Sequence, residues 1–190
     1  MRDMSKERDV VELLLDQHQQ IKKLFSDVGK ATGERKRDAF DDLVRLLAVH
    51  ETAEEMVVHP AVRREDDGAE AVVEARLREE DEAKKALSEL YDLGVDHPEF
   101  DVRLEAFAVD VIAHATHEEQ EEFPRLRSAL DPKRLHRMAG ALQAAEAVAP
   151  TRPHPSAPES AAGNLLAGAP LAVFDRIRDA VRDWRKDHND

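Results

Sequence analysis

The chain has no cysteine among its 190 residues. That excludes disulfides, thiolate nucleophiles and thiolate-held clusters. No stretch of 18 residues is apolar, and the opening MRDMSKERDVVELLLDQHQQ has no apolar core of signal-peptide type. A soluble cytoplasmic protein without a membrane partner is the expectation. Basic residues are short: 28 Lys and Arg stand against 41 Asp and Glu, a formal charge of −13. A nucleic-acid partner is therefore not expected, because phosphate binding needs a basic face. Aromatics are only 4% of the chain and glycines number 7. What is abundant instead is Ala, Leu, Glu, Arg and Asp, a composition that favours helix over strand.

Apolar residues recur at helical spacing in four long segments. Residues 6–28 carry Val11, Leu14, Leu15, Ile21, Leu24, Phe25 and Val28; residues 34–64 carry Phe40, Leu43, Leu46, Leu47, Val57 and Val58. Residues 69–93 carry Val73, Leu77, Ala83, Leu87, Leu90 and Tyr91, and residues 98–130 carry Leu104, Phe107 and Val111. The turns between them, GKATGERKR, REDDG and GVDHPE, are short. Four amphipathic helices of similar length with short connections predict an all-α, up-down-up-down four-helix bundle over residues 1–130, with a C-terminal helical extension. Asp131 and Pro132 look like the cap and first turn of a short helix ending near residue 148. Residues 149–164 are a Pro- and Ala-rich linker, and residues 165–190 hold an amphipathic helix marked by Leu171, Phe174, Ile177, Val181 and Trp184. That last helix suits packing on the bundle or across a dimer, since Asp175, Asp179 and Asp183 among its arginines disfavour a membrane surface. Monomer and homodimer both remain open.

The stretch HETAEEMVVHP at 50–60 has an echo, HATHEEQEEFP, at 114–124. His50, Glu54, Glu55 and Pro60 match His114, Glu118, Glu119 and Pro124 in register. Residues four apart lie one turn apart on a helix face, so each His–Glu pair can converge on one point. Pro60 should bend or locally open its helix. By the angle of about 100° per residue, His59 projects opposite His50, which suits solvent or a local cap. His18 lies within the apolar stripe of the first segment, and Glu80 within that of the third, with Glu79 as its solvated neighbour. His117 lies beside the fourth stripe, either orienting a ligand or as an ordinary surface histidine. Alone, His18 reads as a core histidine. Counted with the others, it belongs to a set: His18, His50, Glu54, Glu80, His114 and Glu118, three imidazoles and three carboxylates that would be costly to bury without a cation.

Such a nitrogen and oxygen donor set suits iron or manganese, with zinc as a competitor. Six donors are too many for one open site. With Glu54 and Glu118 each bridging, the six supply four bonds to each of two ions and leave room for O2, peroxide or NO.

These motifs resemble the hemerythrin-like proteins, the HHE cation-binding family, over residues from about 8 to 130. The resemblance rests on His18 in DQHQQI and on the His-x-x-x-Glu pairs His50/Glu54 and His114/Glu118. It implies a four-helix bundle around an oxo- or hydroxo-bridged pair of non-haem iron ions that binds a small oxidant. It also marks Glu51, directly after the second-helix His, as a secondary ligand candidate. One departure stands out: the third helix, REEDEAKKAL, has Ala83 where the family places a His, with Glu80 three residues earlier. Three glutamates leave two ferrous ions at net +1 instead of +2, which favours the ferric state and lowers the reduction potential. A reversible oxygen carrier is then less expected than a protein that reacts with O2, peroxide or NO, with weak peroxidase, catalase-like or NO-handling activity, or one that senses oxidation. The alternative is a structural or regulatory helical module whose degenerate site is zinc-occupied or unused.

Overall fold

The computed structural model describes residues 8–149. The linker and C-terminal helix expected over residues 150–190 lie outside the described residues. Helix α1 spans Val10–Lys30, α2 Glu34–Ala53, α3 His59–Glu65, α4 Glu70–Leu93, α5 Phe100–His117, α6 Phe123–Ala129 and α7 Pro132–Glu146. Glu54–Val58 joins α2 to α3 as one wide π-helical turn, and Glu118–Glu122 joins α5 to α6 in the same way. Each pair is therefore one long, interrupted helix, and with α1 and α4 they form the four-helix bundle. There is no strand among the described residues, and no helix among them is long and apolar enough to cross a membrane.

Local chemistry sets the helix ends. The Asp9 carboxylate accepts from Glu12 N–H, and Glu12 reaches back to Asp9 N–H, both at 2.9 Å, so α1 starts with a reciprocal cap. Gly94, at φ +79°, ends α4 in a conformation that a residue with a Cβ would adopt under strain. Asp131 caps α7 by accepting from Arg134 N–H at 2.9 Å, with Pro132 in the first turn.

Both π turns have the same cause. His59 N–H reaches back five residues to the Glu54 carbonyl, and Phe123 N–H does so to Glu118. Pro60 and Pro124 follow directly, each lacking an N–H and crowding the carbonyl four residues earlier. Widening the preceding turn relieves that crowding, so the matched prolines of the two repeats set matched openings at Glu54 and Glu118.

The apolar core comes in two parts. One joins Val10, Val11 and Leu14 of α1 to Val57, Val62, Val73, Phe123, Leu126 and the inner face of α7, including Leu135, Met138 and Leu142. The other joins Ile21 and Phe25 to Phe40, Leu43, Leu47, Leu87, Leu90, Phe100, Leu104, Phe107 and Val111. Every long helix passes from one part to the other, and the crossing point is polar: His18 on α1, His50 and Glu54 on the second, Arg76 and Glu80 on α4, His114 and Glu118 on the fourth. A belt of buried ionisable groups thus lies between two oily layers.

Candidate metal centre

All six sequence-expected donors lie in that belt, and all are buried. They form two overlapping groups. His18, His50, Glu54 and Glu118 bring one donor atom each within 4.8 Å of one another, and so do Glu54, Glu80, His114 and Glu118. Glu54 and Glu118, the two residues that open the π turns, belong to both. His18 Nε2 lies 3.3 Å from Glu118 Oε2, His50 Nε2 3.2 Å from Glu54 Oε2, and His114 Nε2 3.3 Å from Glu118 Oε1. Yet His18 Nε2, His114 Nε2 and both oxygens of Glu54 and Glu118 have no hydrogen-bond partner among the described residues. These atoms are gathered closely without pairing by hydrogen bonds. Neighbouring ligands on an octahedral ion with bonds of about 2.1 Å stand about 3 Å apart, so the spacing fits cation ligation. A buried set of unpaired acceptors is costly unless a cation completes it.

The outer edge of each ring fixes its tautomer. His18 Nδ1 lies 2.8 Å from Glu119 Oε1, His50 Nδ1 2.7 Å from Gln17 Oε1, and His114 Nδ1 2.9 Å from Glu79 Oε2. Carboxylate and amide oxygens only accept, so each Nδ1 carries a proton and Nε2 is the nitrogen left for a cation to take. Gln17 in turn donates from Nε2 to Glu146 of α7, which keeps its oxygen on His50. Phe123 stacks on His18 at 5.6 Å, and the His18 and His50 rings meet edge to face at 5.0 Å.

The sequence profile of the hemerythrin HHE cation-binding domain matches residues 9–126. The chain belongs to this family. It is 28% identical over 140 residues to an uncharacterized hemerythrin-like protein of Schizosaccharomyces pombe, covering 73% of this chain and 68% of that protein. A DNA nickase of Nostoc is 26% identical over 130 residues, covering 68% of this chain but 36% of the nickase. The crystal structure of an HHE cation-binding domain-containing protein from Mycobacterium kansasii superposes with a TM-score of 0.66 at 22% identity, covering 74% of this chain and 86% of that one. At 22% identity this likeness shows the shared fold.

Two residues of this HHE domain overturn expectations. His59 does not face solvent: it is 1% exposed, with Nδ1 2.8 Å from Glu122 Oε1 and Nε2 2.5 Å from Glu80 Oε1. The projection at about 100° per residue failed because the π turn inserts one residue between His50 and His59, rotating everything beyond it. Glu79 is not merely a solvated neighbour of Glu80: its two oxygens hold His114 Nδ1 and, at 3.1 Å, His117 Nδ1. His117 is half-exposed and meets the belt through Glu79. Glu51 is buried but joins neither donor group. Glu122, fully buried at the end of the second π turn, was also missed; a polar side chain at the core boundary just before Phe123 and Pro124 was its available signal.

Protonation in the HHE belt is mutually opposed. Burial, reinforced by the neighbouring His18, lowers the His50 pKa to about 3. Burial and the charges of Glu118 and Glu80 raise Glu54 well above the usual carboxylate range, and burial with Glu80 raises Glu51 to about 8. Burial works against both His114⁺ and the Glu118 carboxylate, but their mutual attraction wins: His114 rises to about 11 and Glu118 falls well below its ordinary value. Metal ligation needs neutral imidazole and ionised carboxylate. At pH 7.5 the metal-free domain holds a proton on His114 that a cation must displace, and the upward shift of Glu54 acts in the same direction. Calorimetry in two buffers of different ionisation enthalpy should therefore show release of at least about one proton per chain on metal binding, and affinity should rise with pH. Binding without proton release would contradict this protonation scheme.

Proposed function

We propose that the chain is a non-haem di-iron protein that binds and reacts with O2, peroxide or NO. The observation that carries this reading is the pair of buried four-donor groups sharing Glu54 and Glu118. His18, His50, Glu54 and Glu118 would hold one ion; Glu54, Glu80, His114 and Glu118 would hold the other. The donors are imidazole and carboxylate only, which suits iron ahead of softer-ligand metals. When bound, a pair of iron ions supplies the electrons for oxidant chemistry.

The chain's own residues do the rest. Glu119, Gln17 and Glu79 accept the Nδ1 protons and hold the three imidazoles with Nε2 left for a cation. The two apolar layers exclude water from above and below the belt. Between α4 and α5 a cleft of about 210 Å³ is lined by Glu79, Ala83, Phe107, Ala113 and His114. It is smaller than the roughly 300–1,000 Å³ typical of sites for organic ligands, and suits a diatomic molecule or peroxide. Ala83, where the resemblance expects an imidazole, leaves its wall small. The reading is tested by metal analysis and optical spectroscopy of the full chain purified from iron-replete cells. Two iron ions per chain, with a ferrous spectrum that changes on adding peroxide, are expected. Protein that takes up zinc but no iron would instead support the regulatory-module reading.

A further inference from the structure

We infer that His59 is the fourth imidazole of the centre, a ligand to the ion held by Glu80 and His114, supplied by the second helix where the third has none. The inference rests on the di-iron reading and adds to it. Its first ground is a shortage. The His18 group has two imidazoles, whereas the Glu80 group has only His114, because α4 presents Ala83 and Glu80. The second ground is position. The π turn before Pro60 rotates His59 out of the register of α2 and into the belt, where it lies fully enclosed beside Glu80.

The third ground is the pattern of its contacts. Each of the three expected histidines has Nδ1 on an acceptor outside the belt and Nε2 toward a carboxylate within it. His59 shares the outer half of this arrangement, with Nδ1 on Glu122 Oε1 at 2.8 Å. Its Nε2 points to a belt carboxylate too, but is hydrogen-bonded to Glu80 Oε1 at 2.5 Å, a contact that a cation between them would replace. Glu122 thus does for His59 what Glu119 does for His18. Glu80 Oε1 is also 4.0 Å from His114 Nε2, so the Nε2 atoms of His59 and His114 both lie near one carboxylate oxygen. Glu80 Oε2 and Glu122 Oε2 have no hydrogen-bond partner among the described residues, and His59 groups with Glu118 and Glu122 within 4.8 Å. The competing arrangement is a structural triad, an imidazolium clasped between Glu80 and Glu122 with no bond to metal.

Ligation and clasping differ in a signal that folding does not mimic. In the full chain loaded with two equivalents of cobalt(II), each ligated histidine gives one strongly shifted, exchangeable ring N–H proton resonance. The inference expects four in the wild type and three in His59→Gln, whose second cobalt equivalent should bind at least tenfold more weakly while the first is unchanged. Three resonances in the wild type, unaltered in His59→Gln, would overturn the role of His59 and leave the two-ion reading standing. Failure of the wild type to take up two equivalents would sink both. Because the wild-type count alone separates four from three, the test survives even if His59→Gln does not fold.

Discussion

Metal loading should raise the melting temperature of the full chain by about 15–30 °C over the chelated protein. An ion bound only by the folded state stabilises it by about 4 kcal/mol when present at a thousandfold excess over its dissociation constant, and two such ions by about 8 kcal/mol. For a chain of this size each kcal/mol moves the midpoint by about 2–4 °C. The direction follows from the belt itself. Glu54, Glu80, Glu118 and Glu122 are all fully buried, and six of their eight carboxylate oxygens have no hydrogen-bond partner among the described residues. Without a cation this layer opposes folding, and the two apolar layers must carry it. Scanning calorimetry of chelated, iron-loaded and zinc-loaded protein measures the shift. A midpoint that ignores every metal would mean that the belt is a satisfied polar layer and not a binding site.

The metal-free protein has its own pH signature. His50, with its folded pKa lowered to about 3, contributes stability that is full above its ordinary value of 6.5 and is lost as pH falls toward 3. His114, raised to about 11, contributes stability that is full below 6.5 and is lost as pH rises toward 11. The two limits oppose each other, so the histidine contribution peaks near pH 6.5.

The fold was legible because four stripes of Leu, Val, Ile and Phe repeat at helical spacing and are broken by short turns. The belt was legible for a related reason: His18, Glu80 and the two His–Glu pairs interrupt stripes that should be apolar. The family resemblance and the residue pattern agreed at His18 and the two His–Glu pairs, and parted at Glu80. What the pattern could not supply was a change of helical register. Pro60 correctly marked an opening of its helix, but the angle of every residue beyond the opening depends on whether the helix kinks or adds a residue. It adds one, and His59 moves from the solvent side to the belt. Likewise the partners of Glu79, Glu119 and Gln17 lie on other helices, 35, 101 and 33 residues away in the chain. No local spacing encodes which surface carboxylate leans over which imidazole. The helical arithmetic placed the ligand candidates; the residues that hold them were settled by packing.

Replacing Glu118 by Ala should abolish binding of both ions, an effect otherwise expected of Glu54, the other shared donor. Glu118 belongs to both four-donor groups, whereas His18 and His50 belong only to the first and His114 only to the second. His18→Ala should therefore leave one ion with near-normal affinity, held by Glu54, Glu80, His114 and Glu118, and His114→Ala should leave the other. Glu119→Ala removes the acceptor on His18 Nδ1 and a partly exposed ion pair with Lys22, but no donor of either group. It should therefore keep two ions at saturating metal but weaken one by about 10–100-fold, the usual cost of losing such a partner. Glu118 also lies against His18 and His114, and its loss leaves a buried imidazolium without its carboxylate. Circular dichroism on Glu118→Gln, which keeps the shape and part of the hydrogen bonding, separates a folding defect from a binding one. Equilibrium dialysis across this set reads the outcome as a stoichiometry. If Glu118→Ala retained one tight ion, the two groups would not share that residue, and the paired-ion arrangement would give way to a single site.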